Sequence, residues 1–203
     1  MKKKAAILCL LGILSVSGIT QENPRIVPRK PSVAFFQEEI TLSVSDSISR
    51  VEGVYHFRNN SDRDFVMPVI FPFYIDSTTQ FPDLIEPFWV DSLGQKYQIP
   101  YTEIRKAGII RMGIPLVAGK ERSWHLNYEQ KISAKRAVYI ITTTAAWKNP
   151  LTQATYTFVT PENFKVVSAW PKPDTTFRKD NHIYRQCVKH DFMPDRDMEI
   201  IWK

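Results

Sequence analysis

The sequence has few of the residues that staple small folds or build common catalytic motifs. It contains two cysteines and seven glycines in 203 residues. Cys9 lies in the N-terminal apolar run, so only Cys187 survives if that run is removed, and an intramolecular disulfide is then excluded. The glycines are scattered singly, which excludes a glycine loop that cradles phosphate. The fourteen prolines favour many short strands, because proline is confined to strand ends, edges and loops.

Motifs for metal and nucleophilic chemistry are also missing. The histidines form no close pair and stand at His56, His125, His182 and His190. Without a cysteine pair they do not indicate a zinc site, and no G-x-S-x-G elbow is present. The acidic segment Asp191–Asp197 lacks the glycine and the distal glutamate of a calcium loop. We therefore predict no catalytic residue, no metal site and no cofactor.

One apolar run stands out, and it lies at the N terminus. Lys2–Lys4 precede Ala5–Leu14, and small residues follow, which predicts a bacterial secretory signal peptide over residues 1–20. The run is too short to span a bilayer comfortably, and no small-residue lipobox precedes Cys9. Removing residues 1–18 lowers the formal charge from +6 to +3, with 24 basic and 21 acidic residues left. We predict an exported protein, periplasmic or extracellular, with no nucleic-acid partner and no integral membrane span.

The rest of the chain has the pattern of an all-β protein. Residues 21–32 are polar and proline-rich, and we interpret them as an extended tether. Residues 33–203 predict an antiparallel β-sandwich of roughly a dozen short strands with little or no helix. Either one sandwich or two packed sub-sandwiches fits this length. Glu103–Ala107 is the single helical turn that we expect.

Three hairpins are expected from pairs of alternating segments. The first spans Val51–Tyr74, with one apolar face along its first arm and the polar loop Asn59–Asp62 between its arms. The second joins Phe88–Val90 to Tyr97–Tyr101, and the third joins Ile110–Leu116 to Trp124–Tyr128. The core is expected to include Phe57, Phe71, Ile140, Tyr156 and Ile200.

Two parts of the sequence resemble known proteins. Tyr55-x-Phe57-x-Asn59, a polar turn and an apolar arm ending in Phe71-Pro72 resemble the opening strands of the vault protein inter-alpha-trypsin domain, which is a β-sandwich. Further segments are similar to an uncharacterised class of exported bacterial β-sandwich proteins. These segments are Tyr139–Thr144, Trp147, Pro150-Leu151 and Phe192–Asp197. The resemblance implies a sandwich over nearly the whole mature chain and carries over no catalytic residue.

Trp147, Lys148 and Asn149 form the candidate binding site. They fall in a predicted loop before Pro150. A loop tryptophan beside an amide and a cation suits a sugar ring or an apolar pocket of a partner. The competing interpretation is that Trp147 folds back and plugs the end of the sandwich.

The sequence favours a non-catalytic protein with a binding or structural role in the bacterial cell envelope, where an unknown envelope protein or glycan is the partner. One alternative is a carbohydrate-active hydrolase that uses paired loop carboxylates. Its candidates are the acidic pairs Glu38-Glu39 and Asp83/Glu86, which also fit solvated loops. Another alternative is an assembly protein that offers an edge strand to a second chain.

Overall fold

The computed structural model describes residues 32–203. The predicted signal peptide and residues 21–31 of the predicted tether lie outside this range. The described strands are β1 (Val33–Val44), β2 (Ile48–Asn59), β3 (Phe65–Pro72), β4 (Leu84–Val90), β5 (Lys96–Gln98), β6 (Tyr101–Ile104), β7 (Ile109–Leu116), β8 (Glu121–Lys131), β9 (Arg136–Tyr139), β10 (Leu151–Pro161), β11 (Val166–Trp170), β12 (Thr175–Lys179), β13 (His182–Phe192) and β14 (Met198–Trp202). Two short 3₁₀ helices, Arg105–Ala107 and Thr142–Trp147, complete the described secondary structure.

The strands form three sheets. Eight strands build the large sheet in the order β12-β13-β10-β1-β2-β8-β4-β5, and the others form a β3-β7-β6 sheet and a β11-β14-β9 sheet. The all-β prediction is therefore confirmed. The predicted purely antiparallel arrangement is wrong, because β1 and β10 pair in parallel. These two strands are far apart in the chain, so the connection between them is long enough to bring β10 back in the same direction.

The first and third predicted hairpins are wrong in their pairing. β2 pairs with β1 and β8, whereas β3 pairs with β7, so residues 51–74 cross from the large sheet to the β3-β7-β6 sheet. The turn between β7 and β8 makes the reverse crossing. At the first crossing the Asn59 side chain accepts a hydrogen bond from the Ser61 N–H and donates one to the Arg63 carbonyl. Turn residues of this kind reverse the chain equally well between two sheets and within one.

The second predicted hairpin is confirmed over its central residues. Phe88–Val90 of β4 pair antiparallel with Lys96–Gln98 of β5. Asp91 stabilises the turn, because its Oδ1 accepts hydrogen bonds from the N–H groups of Leu93 and Gln95, both at 2.9 Å. The helical turn predicted at Glu103–Ala107 is present over Arg105–Ala107, as the first 3₁₀ helix, whereas Glu103 lies in β6.

The main core is one cluster that joins the inner face of the large sheet to buried residues of β3, β7, β9 and β14. The Phe71 ring lies 6.0 Å from the ring of Tyr55 and 6.3 Å from that of Trp124, centroid to centroid. Four of the five predicted core residues are buried, and they are Phe57, Phe71, Tyr156 and Ile200.

Ile140 is the exception among the predicted core residues. It is half-buried, and Ile141 is buried in its place. β9 ends at Tyr139 and a 3₁₀ helix begins at Thr142, so the alternation that was used for the prediction stops there. Within residues 32–203, no helix has the length and apolar character needed to cross a membrane.

Candidate ligand-binding cavity

A cavity of about 510 Å³ opens between the inner face of the large sheet, β3 and the 3₁₀ helix Thr142–Trp147. We call it the aromatic cavity. β3 is an edge strand, and its segment Pro68–Pro72 forms one wall. The aromatic side chains that line it are Phe35, Tyr55, Phe57, Phe71, Trp124, Tyr139 and Trp147. Such a cavity suits a small molecule, because it is mainly apolar and holds a few polar groups in fixed positions.

Glu38 is the one carboxylic acid that the described part of the chain contributes to the lining. It is 2% exposed. Tyr156 donates a hydrogen bond to its Oε1 at 2.5 Å. Burial raises the pKa of Glu38 to about 7, because a desolvated carboxylate is disfavoured, and the hydrogen bond from Tyr156 offsets part of that increase.

The expectation of a solvated loop at Glu38 is wrong. β1 is continuous through residues 33–44, with an irregularity in its pairing between Phe35 and Gln37. This β-bulge turns Phe35 and Glu38 to the same inner face, although they are three residues apart. Side chains two residues apart share a face of a strand, so Glu38 lies on the same face as the buried Ile40 and Leu42. That alternation was the sequence signal for a buried acid.

Two tyrosines form a polar contact at the cavity wall. The hydroxyls of Tyr55 and Tyr139 lie 2.5 Å apart. Burial raises the pKa of both phenols, so both are neutral at ordinary pH. The Tyr55 ring folds back over Gly53, where an added Cβ would lie 2.4 Å from its hydroxyl oxygen. Glycine at position 53 therefore allows Tyr55 to reach Tyr139.

Trp124 supplies an unused hydrogen-bond donor in the same wall. Trp124 is 2% exposed, and its Nε1 has no hydrogen-bond partner among residues 32–203. Its ring stacks on Tyr55 at 4.4 Å between centroids. A buried donor without a partner is destabilising by about 1–3 kcal/mol. A ligand acceptor or a water molecule in the cavity would remove that penalty.

The structure separates the three residues of the predicted site. Trp147 lines the cavity and is half-buried, with its ring 5.2 Å from Phe57 and 5.8 Å from Phe35. Lys148 and Asn149 are exposed and lie outside the lining. Trp147 therefore packs against the core and borders the cavity, which combines the two interpretations left open by the sequence.

The position of Trp147 depends on a helix that the sequence pattern did not predict. Asp197 fixes its start, because its Oδ1 accepts hydrogen bonds from the N–H groups of Ile141 at 3.2 Å and Thr142 at 3.1 Å. Lys148 ends the helix in the left-handed conformation, with φ of 61°. The acidic segment Asp191–Asp197 thus holds the helix beside the cavity through Asp197.

The acids proposed for a hydrolase do not meet in the aromatic cavity. Glu39 is exposed on the opposite face of β1 from Glu38. Asp83 forms an ion pair with Lys131 at 2.8 Å, and Glu86 lies 3.9 Å from Lys96. The cavity lining therefore brings one of the four acids to the site, whereas a glycosidase needs two facing carboxyl groups.

A serine, a histidine and a glutamate also meet on the outer face of the large sheet. Ser123 Oγ lies 2.7 Å from His56 Nδ1, and Glu39 Oε1 lies 3.4 Å from His56 Nε2. They sit on the interior strands β1, β2 and β8, where both edges of each strand are paired. The backbone N–H groups there are engaged in the sheet, so they are not free to form an oxyanion hole.

Other candidate groups fall outside the cavity. Cys187 is buried, as predicted, and burial raises the pKa of its thiol, which disfavours the reactive thiolate. Among residues 32–203, no three His, Cys, Asp or Glu side chains are placed to hold a metal ion together.

Comparison with known proteins identifies relatives in fold. No family model matches the sequence, and no curated protein matches it. Among solved structures, 138 chains match. A Legionella pneumophila protein named as a "putative nutrient binding protein" aligns with a TM-score of 0.56 and 10% identity, over 85% of this chain and 67% of that chain.

An M1 zinc metallopeptidase from Deinococcus radiodurans is also similar in fold. It aligns with a TM-score of 0.50 and 8% identity over 84% of this chain. This chain spans 42% of the length of that enzyme. At such identities the likeness concerns the fold alone.

Proposed function

We propose that this chain is an exported, non-catalytic protein of the bacterial cell envelope that binds a small molecule in the aromatic cavity. The observation that carries the proposal is the cavity itself, at about 510 Å³. Ligand sites are typically about 300–1,000 Å³, mostly apolar, with few polar groups. Glu38, the Tyr55–Tyr139 pair and Trp124 supply those polar groups.

The fold neighbours support a binding role only in general terms. The Legionella protein carries a name that refers to nutrient binding. The peptidase activity of the Deinococcus enzyme does not extend to this chain, whose sequence has no H-E-x-x-H motif.

The proposal includes a sandwich in which β3, β6 and β7 cover the inner face of the large sheet. Inter-sheet ring contacts such as that between Phe71 and Tyr55 support it. One sandwich or two over residues 33–203 stays a prediction, and so does the resemblance to the vault protein inter-alpha-trypsin domain.

The described edge strands differ in how well they fit the alternative of an assembly protein that pairs through an edge strand. We expected a pairing edge to be free of proline and lysine. β12 and β5 at the ends of the large sheet contain Lys179 and Lys96, and β3 contains two prolines. β6, β9 and β11 contain neither residue. The outer edges of the large sheet are therefore protected, and the edge-strand alternative is confined to the short strands β6, β9 and β11.

Cavity binding is tested with N-phenyl-1-naphthylamine, a neutral probe that fluoresces in apolar sites. We expect the mature protein to enhance its fluorescence. Ala146→Trp should weaken binding at least about fivefold, because Ala146 lines the cavity and an indole there would fill it. Ala145→Trp is the matched control, since both alanines are exposed in the same helix and Ala145 lies outside the lining. Equal binding by Ala146→Trp and the parent protein would contradict the proposed site.

Export is tested separately by intact-mass measurement. The protein recovered from a secreting bacterial host should have lost about 18–22 N-terminal residues. A full-length mass in the soluble cytoplasmic fraction would contradict the proposed export.

A further inference from the structure

We propose that the ligand of the aromatic cavity is a small organic cation, an amine or ammonium compound attached to an apolar ring. This inference rests on the cavity function proposed above and adds the chemical class of the ligand.

The charge of the cavity favours a cation. Among the described residues the lining contains no lysine, arginine or histidine, and its one carboxylic acid is Glu38. Tyr156 occupies Oε1 of this carboxyl through its hydrogen bond, and within the described residues the Glu38 side chain forms no other hydrogen bond. A ligand ammonium group would supply the opposite charge, and a cation next to a carboxylate is stabilised most where water is excluded.

The rings around Glu38 favour the same ligand. Tyr55 lies directly opposite Glu38 in the pairing of β1 with β2, and the rings of Phe35, Trp124 and Tyr139 border the same space. The face of an aromatic ring carries negative potential and attracts cations, most strongly when the cation is desolvated. An anion would meet repulsion both from the rings and from the carboxylate.

Protonation of Glu38 couples this preference to pH. The titratable groups facing it are the phenols of Tyr156 on β10, Tyr55 on β2 and Tyr139 on β9, and burial raises the pKa of all three. These phenols stay neutral, so Glu38 is the group that titrates near neutral pH, with a pKa of about 7. A carboxyl with that pKa is about 3% ionised at pH 5.5 and about 97% ionised at pH 8.5. Cation affinity should therefore rise by up to about 30-fold between these pH values.

The test uses three phenyl compounds that differ in charge, each measured by displacement of N-phenyl-1-naphthylamine. Phenethylamine is the cation, 2-phenylethanol the neutral analogue and 3-phenylpropanoate the anion. At pH 8.5 we expect phenethylamine to bind at least about tenfold tighter than the alcohol, and the anion to bind weakest. At pH 5.5 the advantage of the cation should largely disappear.

Three variants assign the effect to one side chain. Glu38→Gln should bring the affinities of the cation and the alcohol within about twofold at both pH values, because the amide cannot ionise. Tyr156→Phe should move the midpoint of the pH dependence upward, because the hydrogen bond from Tyr156 lowers the pKa of Glu38. Glu39→Gln is the matched control and should behave like the parent protein, since Glu39 is exposed on the other face of β1. Circular dichroism of each variant checks its folding.

The outcomes separate this inference from the cavity function. Equal affinities for the cation and the alcohol, or a preference for the anion, would overturn the cation inference and leave the cavity function standing. If the naphthylamine binds and phenethylamine does not displace it, the cation inference is likewise wrong and the cavity function stands. If the naphthylamine itself does not bind, both proposals are wrong.

Discussion

Replacing Glu38 with glutamine should change how the stability of the folded protein depends on pH. Glu38 is 2% exposed, and its pKa in the folded protein is raised from 4.5 to about 7. Between these values the folded protein binds more protons than the unfolded chain. The stabilising contribution of the protonated carboxyl is therefore complete below about pH 4.5, and it is lost as the pH rises through about 7.

The size of the effect follows from the two pKa values. Ionising Glu38 in the folded protein costs about 3 kcal/mol at pH 8.5 and under about 1 kcal/mol at pH 5. Glutamine keeps an acceptor for the Tyr156 hydroxyl and does not titrate. The stability of Glu38→Gln relative to the parent protein should therefore increase by about 2–3 kcal/mol between pH 5 and pH 8.5.

Urea denaturation of both proteins across this pH range measures the difference. Other groups titrate as well; burial lowers the pKa of His125, for example, and contributes with the opposite sign. Because both proteins share these groups, the difference between their curves isolates Glu38. If the stability of Glu38→Gln relative to the parent protein changes by less than about 0.5 kcal/mol between pH 5 and pH 8.5, the pKa of Glu38 is not raised by burial. That result would remove the main support for a cationic ligand.

Three further substitutions test the cavity walls. Phe71→Ala should lower the free energy of unfolding by about 3 kcal/mol. This is near the low end of the range for a buried phenylalanine, because the Phe71 ring already borders the cavity. A loss of less than about 1 kcal/mol in urea denaturation would contradict this expectation. Trp147→Ala should abolish naphthylamine binding while the melting midpoint falls by less than about 5 °C. A larger fall with binding retained would make Trp147 part of the core only. Gly53→Ala should destabilise by about 1–3 kcal/mol and weaken probe binding, because the new Cβ displaces the Tyr55 hydroxyl; unchanged melting and binding would contradict the proposed contact with Tyr139.

The candidate site was only partly predictable. Trp147 was identified as a large ring near a chain reversal, and it does border the cavity. Lys148 and Asn149 were included because they are its neighbours in sequence, and they face solvent instead. Glu38 was interpreted as a loop acid since glutamate is rarely buried, although the alternation of β1 placed it on the inner face.

Local sequence determined which side is buried in strands with regular alternation, such as β2. Val51, Tyr55 and Phe57 share a buried face as predicted, since successive side chains of a strand point to opposite sides of a sheet. The turn at Asp91 was equally readable, because its hydrogen bonds are made within five residues.

Only the tertiary structure decided which strands pair and what the buried faces enclose. Alternation describes one strand at a time and contains no information about its neighbour. The chain reversals after β2 and β7 could therefore join strands within one sheet or between two. The crossing after β2 brings Phe71 over Tyr55, and the parallel pairing of β1 with β10 brings Tyr156 to Glu38. The aromatic cavity is formed by residues from separate strands and a helix, so it exists only once the layers have packed together.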